Sequence, residues 1–328
     1  MPVFRFRPLL ALIAVRASRR ASLAVGVLAA CAVSVACGAC ARSESPRRAA
    51  PTIHDDFGSA LPLDRAPRRI VSLNPTTTEI LFAIGAGDRV VGRSQYDVFP
   101  DAATRVPSLG LALRPNVEAV LATKPDLVIL YASNDNRPAA DRLRQAGVAT
   151  VAFKIDSITQ FTRDTRLIGR ITGDSLHADA LVDSVSATLT RVRASTAGLP
   201  RPSVFIHAWD RPIIAIGGGS FLSELLDIAG ARNVYDSVPS PSVTVTLEDV
   251  VRRNPDYVLA SPVAAPKMRA SASWRAIPAV REGRLLIYDT VLVGRPSVLL
   301  GAAAQSLANL LHPPTNSAPN TASGGGRR

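Results

Sequence analysis

His207, Asp210 and Ser220 are the side chains whose types come nearest to a hydrolytic set, an imidazole drawing a proton from a hydroxyl while a carboxylate orients the ring. Nothing in their spacing demands that arrangement, and the sequence has no G-x-S-x-G elbow, no Walker phosphate loop and no H-E-x-x-H zinc helix. Gly217-Gly218-Gly219-Ser220 could cradle an anion but is more simply a turn followed by an N-cap. A free zinc or manganese site wants several His and carboxylate ligands, and between residues 69 and 312 the only histidines are His177, His207 and His312. The cysteines, Cys31, Cys37 and Cys40, all precede that span, which has no residue for disulfides, thiol catalysis or thiolate ligation. No enzyme and no cofactor is expected. What remains is recognition chemistry: Tyr96, Tyr131 and Trp209 offer aromatic faces for a large flat or apolar ligand, and Arg114, Arg211 and Arg295 could meet an anionic group on it.

These residues have to be positioned by an alternation of short apolar runs with amphipathic ones. Residues 70–73, 127–131 and 148–153 predict strands, and Tyr131 falls at the end of one. Thr76-Thr77-Thr78-Glu79 after Pro75 matches a capping box that opens a helix to about Ile84, with Gly85 and Gly87 as its stop. A second series predicts strands at 204–207, 213–216, 257–260 and 285–288, interleaved with helices near 220–229, 247–253 and 297–311. Trp209 then lies just past the strand ending at His207. Strands separated by helices imply mainly parallel sheets, with ligands held at the carboxyl ends of the strands. Between the two series Ala178, Leu181, Val185, Leu189 and Val192 recur at helical spacing, with no Gly or Pro from Ser175 to Ala197. One long helix is expected there, a stiff strut between two small α/β lobes.

The two series are related. Residues 116–128 align without gaps to 246–258 and share Glu118/Glu248, Val120/Val250, Pro125/Pro255, Asp126/Asp256 and Val128/Val258. Each copy has the form of a capped helix, a Pro-Asp stop and a buried strand. A weaker pair, Thr78-Glu79-Ile80-Leu81 with Gly85 and Ser223-Glu224-Leu225-Leu226 with Gly230, precedes each copy in the same order, which favours true pseudosymmetry.

At the N-terminus Arg5, Arg7, Arg16, Arg19 and Arg20 precede an uncharged stretch from Ala21 to Ala36, too short for a membrane span and patterned like an export signal. Leu28-Ala29-Ala30-Cys31 resembles a lipobox, making Cys31 the expected acylated residue, with Cys37 and Cys40 as fallbacks. The expected organisation is a signal peptide at 1–30, a disordered tether at 31–68, an N-terminal lobe at 69–156, a helical segment at 157–198, a C-terminal lobe at 199–312 and a disordered tail at 313–328. The net charge of +12 belongs mostly to the ends, leaving 26 bases against 22 acids in the core. With 5% aromatic residues as well, nucleic acid is not an expected partner.

The core resembles the cobalamin and iron-chelate periplasmic-binding family. The resemblance rests on Arg69-Ile70-Val71-Ser72-Leu73 followed by Pro75 and Glu79, on Val91-Gly92 with Tyr96-Asp97 and Pro100, on Asn116-Val117-Glu118 leading to Lys124-Pro125-Asp126-Leu127-Val128, and on Glu248 with Pro255-Asp256. It implies two α/β lobes bridged by one long helix, and a monomer that captures a corrinoid or ferric chelate between them for an ABC permease. It implies that Glu118 and Glu248 dock onto permease arginines and that Tyr96 lies at a pocket position. Haem, or free zinc or manganese, is the alternative cargo of the same architecture. Cobalamin-binding members tend to carry a tryptophan about six residues before each docking glutamate, where this chain has Ala112 and Ser242.

Overall fold

The computed structural model describes residues 53–61 and 65–313. Its first element is a short hairpin in which β1 (Ile53–His54) pairs antiparallel with β2 (Ala60–Leu61). Asp55 holds it in place. One carboxylate oxygen accepts from Phe57 N and Ser59 N in the turn, and the other accepts from Ala152 N at 3.1 Å and pairs with Arg144 at 2.6 Å. The expectation of a disordered tether reaching residue 68 is therefore corrected over 53–61, where a buried carboxylate welds the chain to the first lobe. The expected signal peptide, Cys31, Cys37, Cys40 and the tail from 314 onward lie outside the described residues. Among the described residues no helix is long and apolar enough to cross a membrane.

The first lobe is a parallel sheet ordered β4-β3-β5-β6, built from β3 (Ile70–Leu73), β4 (Val90–Arg93), β5 (Leu127–Tyr131) and β6 (Ala149–Phe153). Side chains alternate between its faces as strand geometry requires. Val71, Leu73, Val128 and Leu130 pack outward, in the cluster that includes Val120, Ala140 and Leu143. Ile70, Leu127, Ile129 and Phe153 pack inward with Ile80, Leu81, Phe161 and Ile168. The connecting helices are α1 (Pro75–Ala83), α2 (Asp101–Thr104), α3 (Val117–Ala122) and α4 (Arg137–Gln145). Helix α1 is capped two residues earlier than its threonines suggest: Asn74 Oδ1 accepts from Thr76 N at 3.1 Å, and Pro75 takes the first helical position, where its missing N–H costs nothing.

Two helices follow, α5 (Ile158–Thr172) and α6 (Ser175–Thr196), packed closely because Gly169 leaves room where a Cβ would come within 2.4 Å of Ala178 Cβ. At 1.5 Å per residue the 22 residues of α6 run roughly 33 Å. Its buried Ala178, Val185, Leu189 and Val192 belong to one apolar core that joins the inward face of the first sheet to Val204, Ile206 and Leu259 of the second.

The second sheet runs β10-β8-β7-β11-β12, with β9 beside β7; its strands are β7 (Ser203–Asp210), β8 (Ile213–Ile216), β9 (Arg232–Asn233), β10 (Ser242–Thr244), β11 (Tyr257–Ala260) and β12 (Leu285–Ile287). The pairs of β7 with β9 and β11, and of β11 with β12, are parallel, whereas β8 is antiparallel to both β7 and β10. Helices α7 (Phe221–Ile228), α8 (Leu247–Arg253), α9 (Ala264–Ala270), α10 (Pro278–Arg281), α11 (Thr290–Val293) and α12 (Leu300–Leu311) complete the lobe.

The sequence repeat has a structural counterpart. Helices α3 and α8 are capped alike, by Asn116 onto Ala119 N and by Thr246 onto Asp249 N. Both copies then place a left-handed residue, Lys124 or Asn254, before the proline, and the weaker pair matches too, since Gly85 and Gly230 share a positive φ. The aspartates do the same work in each lobe. Asp126 accepts from Arg68 N and Arg69 N, at 2.8 and 2.9 Å, at the start of β3; Asp256 accepts from Ser203 N and Ser203 Oγ, both at 2.7 Å, at the start of β7. Each carboxylate thus satisfies the first donors of the neighbouring parallel strand. Asp126→Ala and Asp256→Ala should each cost about 1–2 kcal/mol in urea unfolding. The hydrogen bonds from Ser203 hold Asp256 below the ordinary carboxylate range, so its contribution is present above that range and fades as pH falls through the depressed value. Asp256→Asn should accordingly lose the acid side of the wild-type profile, and an unchanged acid limb would remove this role from Asp256.

Candidate ligand-binding cleft

A cleft of about 540 Å³ lies between the lobes. The first lobe contributes the segments that follow the carboxyl ends of its strands: Asn74, Pro75 and Thr76 after β3, Tyr96 after β4, Tyr131 closing β5, and Ile155 and Asp156 after β6. The second contributes Ile216 ending β8, Ser220 and Phe221 opening α7, Pro241, and the Gly294-Arg295-Pro296 turn between α11 and α12. A parallel sheet delivers its loops to this edge because every strand ends there.

Tyr96, Tyr131 and Arg295 are brought together in this cleft. Tyr96 is half exposed and shares the rim with exposed Leu113, while Val98 and Leu111 nearby are exposed as well. The Tyr96 loop is pinned from below by Asp97, which is fully buried: Thr78 Oγ1 donates to its Oδ2 at 2.6 Å, Ser94 N donates to the same atom at 3.2 Å, and Ser94 Oγ to its Oδ1. Burial raises the Asp97 carboxyl above its usual range, against the pull of the Ser94 and Thr78 hydrogen bonds. Within the same lobe, Tyr131 Oη donates to Asp156 Oδ1 at 2.8 Å, and burial together with that carboxylate pushes the phenol up.

Arg295 is fixed by a partner from the other lobe. Its Nε donates to Glu79 Oε1 at 2.8 Å and its Nη2 bonds to the same oxygen. Glu79, on α1, is 1% exposed; desolvation raises its carboxyl, and Arg295 pulls it back. Beside this pair Thr76 Oγ1 donates to Pro296 O at 3.0 Å, a second bond across the lobes.

Trp209 and Arg211 do not line this cleft. The strand expected to end at His207 continues to Asp210 and turns back as β8, because the antiparallel pairing of Trp209 with Ile214 and Asp210 with Ile213 extends it. The hairpin carries both residues to a separate hollow of about 920 Å³ lined by the C-terminal lobe alone, where Trp209 is 63% exposed. His207 lies there too, buried, with Nε2 3.0 Å from Asp210 Oδ1 and burial lowering its pKa. Ser220 instead lines the interlobe cleft and caps α7 through Leu222 N, so the three candidate hydrolytic residues do not converge. Arg114 pairs with Asp135 on the surface. Among the described residues no group of three His, Cys, Asp or Glu side chains could hold a metal ion. Glu118 and Glu248 are exposed, second residues of their helices, and neither lines the cleft.

The residues that sequence reasoning did not single out are Asn74 and Asp156; Asp97 entered only as part of the family motif, and Glu79 in that motif and in a capping role. The signal for Glu79 was faint, an acid inside a helix that is otherwise apolar and neutral; its partner is 216 residues away.

Two α/β lobes, a helical strut and an interlobe cleft agree with the comparisons with known proteins. The family described as periplasmic binding protein matches residues 70–292. The chain belongs to that family. This periplasmic binding protein is 30% identical over 80% of its length to the uncharacterized ABC transporter substrate-binding lipoprotein YvrC of Bacillus subtilis, covering 86% of that relative. It is also 30% identical to a cobalamin-binding protein of Halobacterium salinarum, over 79% of this chain and 73% of the relative. A solved structure described as a possible iron-binding, periplasmic solute-binding protein of Staphylococcus epidermidis superimposes with a TM-score of 0.68 at 26% identity, over 76% of this chain and all of that one. The periplasmic binding protein is thus an exported solute-binding protein of two-lobe fold.

Proposed function

We propose that this protein is the solute receptor of an ABC importer, capturing a corrinoid or an iron chelate in the interlobe cleft and presenting it to the permease through Glu118 and Glu248. The observation that carries the proposal is the cleft itself, apolar over most of its lining, rimmed by half-exposed Tyr96 and Leu113, and closed on the other side by Phe221 and Ile216. Such a lining suits a bulky, rigid ligand with a few polar anchor points. The ligand classes come from the relatives' cobalamin and iron descriptions. We further infer a monomer tethered to the membrane through an acylated Cys31.

Visible absorbance of the protein as isolated, then calorimetry with cobalamin, haem and ferric siderophores, tests the ligand class. One of these should bind with a 1:1 stoichiometry, and binding by none of them would reject it.

The strut implies how the cleft behaves. Helix α6 packs on α5 and on α12, and the apolar core runs through it from one sheet to the other, so a hinge would have to break buried packing. Scattering curves with and without ligand should superimpose. A change of several ångströms in radius of gyration would contradict a rigid strut.

A further inference from the structure

The floor of the cleft holds a set of donors that the ligand classes above do not account for. Asn74, 4% exposed, spends its Oδ1 on Thr76 N and leaves Nδ2 with no hydrogen-bond partner among the described residues. Both hydrogen bonds of Arg295 run to Glu79 Oε1, from Nε and Nη2, so Nη1 has no hydrogen-bond partner among the described residues, and Arg295 lines the cleft. Glu79 itself is behind the lining, where its Oε1 takes both bonds from Arg295 and its Oε2 is buried without a hydrogen-bond partner among the described residues. The N-termini of α1 and α7, equivalent helices of the two lobes, also open here, at Asn74 to Thr76 and at Ser220 and Phe221. Each adds roughly half a positive charge. The remaining charged side chain of the lining, Asp156, is occupied by Tyr131 Oη and lies 3.8 Å from Lys154 Nζ.

A buried unpartnered amide donor costs free energy unless a ligand or solvent supplies an acceptor. Here that donor, a guanidinium edge and two helix N-termini line one cleft, and all of them favour an anionic oxygen. We propose that the cleft floor is a carboxylate-recognition subsite in which Asn74 Nδ2 and Arg295, the latter oriented by Glu79, receive a peripheral carboxylate of the ligand. This deepens the solute-receptor proposal and rests on it. It narrows the cargo to a macrocycle or chelate with at least one free acid group. Glu79 is a positioning residue: it holds the guanidinium fork in one orientation without touching the ligand.

The test uses matched pairs differing in acid groups: iron(III) protoporphyrin IX against iron(III) etioporphyrin, and a cobalamin monocarboxylic acid against cobalamin. Titrations are made on wild type, on Asn74→Asp, which keeps the N-cap but replaces the donor by a like charge, and on the double variant Glu79→Gln/Arg295→Gln, which removes the fork without stranding a buried charge. In wild type the acid member of the pair that binds should be tighter by roughly 10- to 100-fold, the size of a charge-assisted hydrogen bond. That preference, read as the ratio of the two affinities within each protein, should vanish in both variants. Equal affinity for both members in wild type overturns the subsite but leaves the receptor standing, as does an acid preference that survives in both variants. Failure of all four compounds to bind overturns the ligand class, and the subsite with it.

Discussion

Replacing Glu118 and Glu248 together with alanine should reduce uptake of the ligand in cells to near background while leaving its affinity for the purified protein unchanged. Both carboxylates are exposed at the second position of short capped helices, and neither reaches the cleft. Each helix follows the same left-to-right grammar in its own lobe, ending in a left-handed residue, Pro and a strand-capping Asp, so the acids stand at equivalent places on two related bodies. A permease with two symmetry-related subunits can address that pair twice with one arrangement of arginines. If the acids served only to complement their helix dipoles, their removal would cost ~0.3–1 kcal/mol of stability each and nothing in uptake. Reversal of both to arginine should be worse than alanine, since like charges held together at an interface cost several kcal/mol. Single variants should keep partial uptake, having lost one contact of two. Normal uptake by the double arginine variant would reject docking through these residues. Weakened ligand binding in the double alanine variant would move them into the site.

The features legible in the sequence were those whose causes are local. The repeat at 116–128 and 246–258 announced two related lobes because cap, left-handed stop, proline and aspartate sit within one short segment. The long apolar spacing from Ala178 to Val192 announced the strut for the same reason. What was misread depends on distance. Three threonines ahead of Glu79 imitate a capping box, yet the cap is Asn74, and Glu79 turns instead to a guanidinium from the other lobe. Trp209 was placed in the cleft by ending β7 at His207; the antiparallel return of β8 lengthens that strand, and such pairing leaves no mark in a stretch as short as 213–216. The hairpin at 53–61 has two-residue strands without periodicity, and its order comes from Asp55 reaching β6, some 97 residues on. Of the aromatic candidates, Tyr96 and Tyr131 share the cleft because loops after parallel strands converge there, a consequence of topology rather than of composition.

Glu79 is where the largest stability effect is expected. Its carboxylate is buried against Arg295, and Glu79→Ala would leave that guanidinium, itself 24% exposed, without its partner; the loss should be about 3–5 kcal/mol in chemical unfolding. The desolvation that makes the pair costly also predicts the remedy. Glu79→Leu combined with Arg295→Met removes both charges and should recover most of the loss, because burying an ion pair returns little more than a well-packed apolar pair does. The pH dependence follows from the direction of the shift. Burial, the largest influence, raises the Glu79 carboxyl, so the folded protein holds that proton more tightly than the unfolded chain does. The associated stability is present in full below the ordinary carboxylate range and is lost as pH rises through the raised value, opposite in sign to the contribution of Asp256. Glu79→Gln cannot titrate, so the gap by which wild type exceeds it should narrow as pH rises above the ordinary carboxylate range. Unfolding free energies of wild type, both single variants and the double variant across that range and above it provide the measurement. A gap that widened with pH would mean that Arg295, not desolvation, governs the Glu79 proton, and a double variant no more stable than Glu79→Ala would show that the lobes need the charges themselves.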